Sequence, residues 1–219
     1  MRYSDFSIGI LVTLSVFFVS VCFGTFIGLT AAGTSLSRSA TLRQLAAGYV
    51  SVIRGVPELL IILVVFFGGT AGLSAIAGRY VEVNAFAAGA AALTIVFGGY
   101  AAEIFRGAIM AIPRGQTEAA LALGLPRLHR WMLVIVPQML PLALPAYGNL
   151  CISLIKDTAL VSIVGLSDIM RVAYVGAGSN RAPLPYFLAA SAIYLALTSI
   201  ALLSFTILER KFDYRGRQR

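Results

Sequence analysis

Five long apolar stretches dominate this chain of 219 residues. They lie at approximately residues 8–32, 59–78, 84–105, 131–155 and 185–208. Each is long enough to cross the hydrocarbon core of a bilayer as an α-helix, which needs roughly 20 residues. Only 12% of the residues are charged, whereas a soluble domain carries about 25%. The pattern therefore predicts an all-α membrane protein with five transmembrane helices.

The loops between these stretches are short and contain no proline- or serine-rich linker. We therefore expect a single transmembrane domain over residues 1–219. The first stretch exceeds the apolar core of a signal peptide, about 7–15 residues long, and is predicted to be a retained helix. The apolar run 159–165 is too short to span a bilayer, which indicates a loop-embedded or re-entrant segment.

The formal net charge is +8, and the basic residues flank the apolar stretches. One predicted side holds 12 of the 17 Lys and Arg residues, in regions 33–58, 106–130 and 209–219. The other side holds the remaining 5, in regions 1–7, 79–83 and 156–184. Because cytoplasmic loops are enriched in basic residues, this bias predicts an external N-terminus and a cytoplasmic C-terminus. It explains the charge better than a nucleic-acid partner, and the expected surroundings are a lipid bilayer.

Signals for catalysis or cofactor binding are missing from the sequence. The only histidine is His129, and Cys22 and Cys151 lie inside apolar stretches, so no metal site is expected. The only lysines are Lys156 and Lys211, and neither ends a glycine-rich phosphate-binding loop. We expect no catalytic residue, no cofactor and no ATP binding by this chain itself.

Small residues and prolines modify two of the predicted helices. Gly24 and Gly28 have the four-residue spacing of close helix packing, although loose glycine use in a membrane helix explains this pair equally well. Pro137, Pro141 and Pro145 lie near one face of the fourth stretch and distort its hydrogen bonding. This favours a bent helix that lines a pathway over a straight helix that faces lipid.

A polar, amphipathic segment, residues 114–130, separates the third and fourth stretches. We expect a short helix that starts at Gln116 or Thr117 and lies parallel to the membrane. Glu118 would then lie in its first turn and suit the helix dipole. Gly124 would end the helix in a sharp turn, at a position that needs positive φ or close approach to a partner.

The spacing of this segment is Glu118-Ala119-Ala120, three residues, Gly124, nine residues, then Val134-Ile135-Val136-Pro137. It resembles the EAA loop of bacterial ABC importer permeases, in which Ile and Leu stand where this chain has Val134 and Val136. In that family the loop is where the ATPase partner binds the permease. In this chain Ala119 and Ala120 are expected to form a smooth surface on the short helix. The resemblance implies ATPase-coupling roles for Glu118, Ala119, Ala120, Gly124 and Arg127. The alternative is an ordinary amphipathic loop.

Three further elements resemble polar amino-acid permeases, so that the similarity covers roughly residues 8–212. They are Ile53–Leu59, Tyr100–Ala108 and Leu154–Ser162. The chain is most similar to the Q-type subunits for histidine, lysine/arginine/ornithine, octopine and nopaline. The resemblance implies the type I importer permease fold with a cytoplasmic coupling helix, and a transport subunit that is not an enzyme. It also implies a second permease (a homologous M-type subunit or a second copy), two ATP-binding subunits and an extracytoplasmic solute-binding protein.

Ionisable residues at membrane depth are candidates for the solute pathway. Glu103, Asp157 and Thr158 are the predicted pathway residues, the latter two at a break after the fourth stretch that faces a cavity. For Glu103 the alternative is an ion pair with Arg106 one turn along the helix. For Asp157 the alternative is a local pair with Lys156.

Together these observations predict a permease subunit of the bacterial inner membrane that works by alternating access. The predicted solute is a polar amino acid, of the basic class, or an opine. A permease for a neutral or acidic polar amino acid is the first alternative. The second alternative is a membrane assembly protein outside the ABC class. Such a protein would have no need for the EAA-like spacing of residues 118–137. A secondary transporter is disfavoured because the five stretches show no internal repeat.

Overall fold

The computed structural model describes residues 3–212, which form helices and no β-strand in that range. The first half contains α1 (Tyr3–Ser35), α2 (Ala40–Gly55), α3 (Glu58–Ala77) and α4 (Ala85–Met110). Two short helices, α5 (Arg114–Ala122) and α6 (Arg127–Arg130), lead through a π-helical turn (Trp131–Ile135) into α7 (Val136–Asp157). A 3-10 helix (Thr158–Val164) then leads to α8 (Ile169–Asn180) and α9 (Pro183–Phe212).

Five helical segments within residues 3–212 are long and apolar enough to cross a membrane. They are Asp5–Ser35, Glu58–Ala77, Ala85–Met110, Arg127–Val164 and Pro183–Phe212. The prediction of an all-α fold with five spans is confirmed. The fourth span is longer than predicted because α6, the π-helical turn, α7 and the 3-10 helix follow one another without a loop. Of the predicted basic tail, Arg215, Arg217 and Arg219 lie outside the described residues.

Helix α4 lies at the centre of the bundle, and two glycines of α1 let α1 approach it closely. A Cβ atom on Gly24 would stand 2.7 Å from Phe97 Cδ1, and one on Gly28 would stand 2.7 Å from Ala101 Cβ. Phe97 and Ala101 are almost completely buried. The α1–α4 contact therefore requires both glycines, which confirms close packing rather than loose glycine use for this pair.

We expect Gly28→Leu to destabilise the fold, because the new side chain would collide with the backbone and Cβ of Ala101. Overpacking of this kind costs about 1–3 kcal/mol. Gly33→Leu is the matched control, since a Cβ at Gly33 in the same helix meets nothing within 4 Å. The measurement is the midpoint of thermal aggregation in detergent. Equal midpoints for the two variants would contradict the assigned α1–α4 contact.

Residues 33–58, predicted as a cytoplasmic loop, contain the 16-residue helix α2. The Tyr49 hydroxyl donates a hydrogen bond to the Ile95 carbonyl at 2.6 Å, and Ile53 packs against Gly99. Ile95 and Gly99 lie in the middle of α4, so α2 lies alongside that span and not beyond its end. The loop prediction was wrong because only one face of α2 is apolar, and a search for continuous apolar stretches misses such a helix.

A second unpredicted helix, α8, is attached to both α1 and α9. Its buried cap Asp168 accepts a hydrogen bond from the Arg171 N–H at 2.9 Å and one from the Tyr194 hydroxyl of α9 at 3.3 Å. The Ile169 N–H donates to the Thr13 hydroxyl of α1 at 3.4 Å. Burial raises the pKa of Asp168, and its hydrogen bonds oppose this rise. The only sequence signal for α8 was Asp168, a residue type that caps helices, inside the predicted loop 156–184.

Candidate functional site

The segment between α4 and α7 ends its first helix in a tight turn at Gly124. The Gly124 N–H donates to the Leu121 carbonyl at 2.9 Å, and the Leu125 N–H donates to the Ala120 carbonyl at 3.1 Å. These two bonds form a Schellman motif, which places its turn residue in the left-handed region. Gly124 has φ 73°, so the positive φ predicted for this residue is confirmed.

Helix α5 begins earlier than the sequence analysis predicted. It starts at Arg114, directly after Pro113, and not at Gln116 or Thr117. Glu118 consequently lies beyond the first turn. The predicted stabilisation of Glu118 by the helix dipole is therefore wrong, because the dipole effect fades within that turn.

The outward side of this segment mixes charged and apolar side chains. Glu118, Ala119 and Arg127 are exposed, and Leu123 is 79% exposed. Ala120 is buried, so the predicted surface of two alanines is wrong for Ala120, which packs inward. We call the exposed set the α5 surface: Glu118, Ala119, Leu121, Leu123 and Arg127. An exposed apolar patch with charged neighbours is typical of a surface that a partner protein covers.

A cavity of about 260 Å³ lies between α3, α4 and α7. Its polar lining consists of Glu58, Tyr100, Ser153 and Asp157, and we call it the acidic cavity. Glu58 begins α3 after a break from α2, and Asp157 ends α7 where the 3-10 helix begins. Interrupted helices whose ends meet inside the bundle form the solute sites of many transporters.

The acidic cavity concentrates negative charge. Glu58 suits the positive N-terminal end of α3, but Asp157 adds its charge to the negative C-terminal end of α7. Within residues 3–212 the one ion pair is Arg106–Glu103, so neither cavity carboxylate is paired by a salt bridge there. The predicted local pair of Lys156 with Asp157 forms no salt bridge in this range, although the two opposite charges still attract each other. Two carboxylates and a negative helix end attract a cation.

The other two predicted pathway residues do not line this cavity. Glu103 accepts a hydrogen bond from Arg106 Nε at 3.2 Å and a second from Nη2, which is the local pair predicted as the alternative. Thr158 is 1% exposed, and its hydroxyl donates to the Ile155 carbonyl at 2.6 Å. The predicted cavity position of Thr158 is therefore wrong, because the 3-10 helix turns this side chain into the protein.

The three prolines of the fourth span line a second cavity of about 900 Å³, between α7, α9 and the junction of α4 with α5. With about 3.6 residues per turn, Pro137, Pro141 and Pro145 lie on the face of α7 opposite to Asp157. We call this space the proline cavity. The prolines therefore line a cavity, as expected of a face that is not turned to lipid, but on the side of α7 away from the acidic cavity. That this face lines the solute pathway stays a prediction.

Three members of the site were not predicted: Glu58, Tyr100 and Ser153. Glu58 carried a usable signal: an acidic residue directly after Pro57, at the start of an apolar stretch, marks a possible helix break. Tyr100 and Ser153 carried none, because a single polar residue in an apolar helix does not reveal which face it occupies.

Comparisons with known proteins agree with this architecture. Residues 24–214 match the family described as binding-protein-dependent transport system inner membrane component. The chain is 41% identical over 199 residues to the nopaline transport system permease protein NocQ of Agrobacterium fabrum, covering 88% of this chain and 84% of the relative. It is 34% identical over 209 residues to the histidine/lysine/arginine/ornithine transport system permease protein HisQ of Escherichia coli, covering 94% and 92%.

Solved structures show the same fold. An amino acid ABC transporter crystallised with histidines contains a chain with a TM-score of 0.83 and 32% identity, which covers 95% of this chain and 94% of that one. The MetNI methionine ABC transporter in an inward-facing conformation gives a TM-score of 0.80 at 20% identity, with 97% and 99% covered. The predicted resemblance and the type I permease fold are confirmed. The chain belongs to the family of binding-protein-dependent transport system inner membrane components and is a permease subunit of an ABC importer.

Proposed function

We propose that this chain carries a basic amino acid, or an opine that contains a guanidinium group, through the bacterial inner membrane. The acidic cavity is the observation that supports this solute class. An ammonium or guanidinium group would form charge-assisted hydrogen bonds with Glu58 and Asp157, and the negative end of α7 would add to the attraction. NocQ and HisQ are named for nopaline and for histidine, lysine, arginine and ornithine. A solute with a neutral or acidic side chain would bring only its α-ammonium group to pair with two carboxylates, which disfavours that alternative.

The complete importer would contain a second permease, either a homologous M-type subunit or a second copy of this chain. Two ATP-binding subunits would supply the hydrolysis for which this sequence has no phosphate-binding loop, and a solute-binding protein would deliver the solute from outside. Residues 1–219 would act as one transmembrane domain. Alternating access would then expose the acidic cavity to each side of the membrane in turn.

Coupling to ATP would pass through the α5 surface. The exposed Glu118 and Arg127 offer charged contacts to a partner, and Leu121 and Leu123 offer apolar ones. Gln138 Nε2 of α7 lies 3.5 Å from Gln116 Oε1 of α5. Since α7 also carries Asp157, movement of α5 would be transmitted to the acidic cavity through one helix.

Co-purification tests this assembly. When the chain is expressed with the neighbouring transport genes of its own genome and purified by a tag on its N-terminus, we expect an ATP-binding subunit and a second permease in the same complex. A Leu121→Glu variant should lose the ATP-binding subunit and keep the second permease. Recovery of the chain with neither partner would contradict the proposed function.

The proposed orientation places α5 in the cytoplasm. In a variant without Cys22, a cysteine at Leu123 should react with a membrane-impermeant maleimide only after the cells are opened. A cysteine at Tyr80, which is 76% exposed between α3 and α4, should react in intact cells. The reverse pattern would contradict the orientation and, with it, the coupling role of α5.

A further inference from the structure

The proline cavity is separate from the solute site and differs from it in chemistry. It opens on the opposite face of α7 from Asp157, so a molecule bound there would not lie beside the acidic cavity. Its deep walls are apolar and include Pro141, Leu142 and Pro145. Because α7 runs away from α5, these residues lie at membrane depth, between two helices that are both long and apolar enough to span the bilayer.

Among the described residues, the charged groups that line this cavity lie at its mouth, beside the start of α5. Glu209 and Arg210, in the last turns of α9, both line it. Within the described residues neither side chain has a hydrogen bond or an ion pair, since the one salt bridge there joins Arg106 to Glu103. Within the part of the chain that the structure describes, the cavity therefore offers one anionic and one cationic group without a salt-bridge partner, above an apolar interior.

We propose that the proline cavity binds one phospholipid with a zwitterionic ethanolamine head group, from the leaflet beside α5. The guanidinium of Arg210 would hold the phosphate, which is its preferred partner, and Glu209 would hold the ammonium. An acyl chain would lie along the prolines of α7. The volume of about 900 Å³ is at the upper end for small-molecule sites, and it suits a head group with the first part of its chains.

This lipid would contact the coupling segment directly. Ile112 and Pro113, which join α4 to α5, line the same cavity. An occupied cavity would therefore support the start of α5 against α7 and α9. The proposal predicts that lipid composition affects coupling to ATP more than it affects assembly of the complex.

Photocrosslinking in the complete complex tests the site. The complex would be reconstituted in nanodiscs with phosphatidylethanolamine that carries a diazirine on one acyl chain, and crosslinked peptides would be identified by mass spectrometry. We expect crosslinks concentrated in residues 137–145 and 206–212. Arg210→Ala should reduce this crosslinking about tenfold, in line with the loss of a charged hydrogen bond. Lys211→Ala is the matched control, because the neighbouring Lys211 is exposed and does not line the cavity.

Two further variants separate the lipid from other occupants. Leu142→Trp should fill the cavity and abolish crosslinking there, whereas Leu140→Trp, on an exposed position outside it, should not. Glu209→Gln should remove the preference for phosphatidylethanolamine over phosphatidylglycerol.

Equal crosslinking in Arg210→Ala and Lys211→Ala would overturn the proposal. Displacement of the lipid by a millimolar amino acid would overturn it in favour of a solute site. A disulfide between two copies of Leu142→Cys would overturn it in favour of a permease–permease contact.

Discussion

Gly124→Val will abolish coupled transport while the chain still inserts into the membrane. Gly124 has φ 73° in the Schellman turn that ends α5, and a β-branched residue does not tolerate this backbone conformation. The turn must therefore open, which displaces α5 from its place between α4 and α7. We expect ATP-driven uptake in proteoliposomes to fall at least tenfold and ATP hydrolysis to lose its response to solute-loaded binding protein.

Gly115→Val is the matched control for this prediction. Gly115 lies in the same helix, its φ is not positive, and a Cβ there also meets nothing within 4 Å. The two variants add the same side chain into open space, so only the backbone conformation distinguishes them. Uptake that is equally reduced in both, or preserved in both, would show that the turn at Gly124 does not control coupling.

Asp157→Asn will reduce transport of a basic solute by tenfold or more. The change keeps the shape of the side chain and removes its charge from the acidic cavity, and a hydrogen bond between charged groups contributes about 1.5–3 kcal/mol. Glu58→Gln should act in the same direction because both carboxylates line the same cavity. The measurement is the dependence of the uptake rate on solute concentration, with co-purification to verify that the complex still assembles.

Glu103→Gln serves as the control for charge loss. Glu103 also lies in a membrane-spanning helix, but it pairs with Arg106 and does not line the acidic cavity. Its replacement should change uptake by less than about fivefold, since the median contribution of an exposed ion pair is roughly 0–1 kcal/mol. Unchanged uptake in Asp157→Asn, or equal losses in all three variants, would contradict solute recognition by the acidic cavity.

The sequence predicted those features that depend on local pattern. Continuous apolar stretches predict spans because backbone groups in lipid must be satisfied within the helix. The turn at Gly124 was predictable because Gly followed by Pro126 is a local signal for the end of a helix. The close contact at Gly24 and Gly28 was visible as a spacing, but its partners Phe97 and Ala101 were not.

Features that depend on which helix faces pack against each other were not predictable from local sequence patterns. The sequence placed the three prolines on one face of α7, but it did not show that this face points away from Asp157, because the rotation of a helix within a bundle is fixed by packing. Thr158 follows Asp157 directly in sequence, but the 3-10 helix turns it inward. The acidic cavity combines residues from α3, α4 and α7, and no spacing along one helix reveals such a set.

Uptake by the reconstituted complex tests the central claim most directly. The proteoliposomes would contain the complete complex and its binding protein, with ATP available to the ATP-binding subunits. They would be supplied with radiolabelled arginine, ornithine, glutamine or glutamate, or with a labelled opine. We predict accumulation of a basic amino acid or an opine that requires hydrolysable ATP and is lost in Asp157→Asn. ATP-driven accumulation of glutamine or glutamate alone, or accumulation without ATP, would contradict the proposed function.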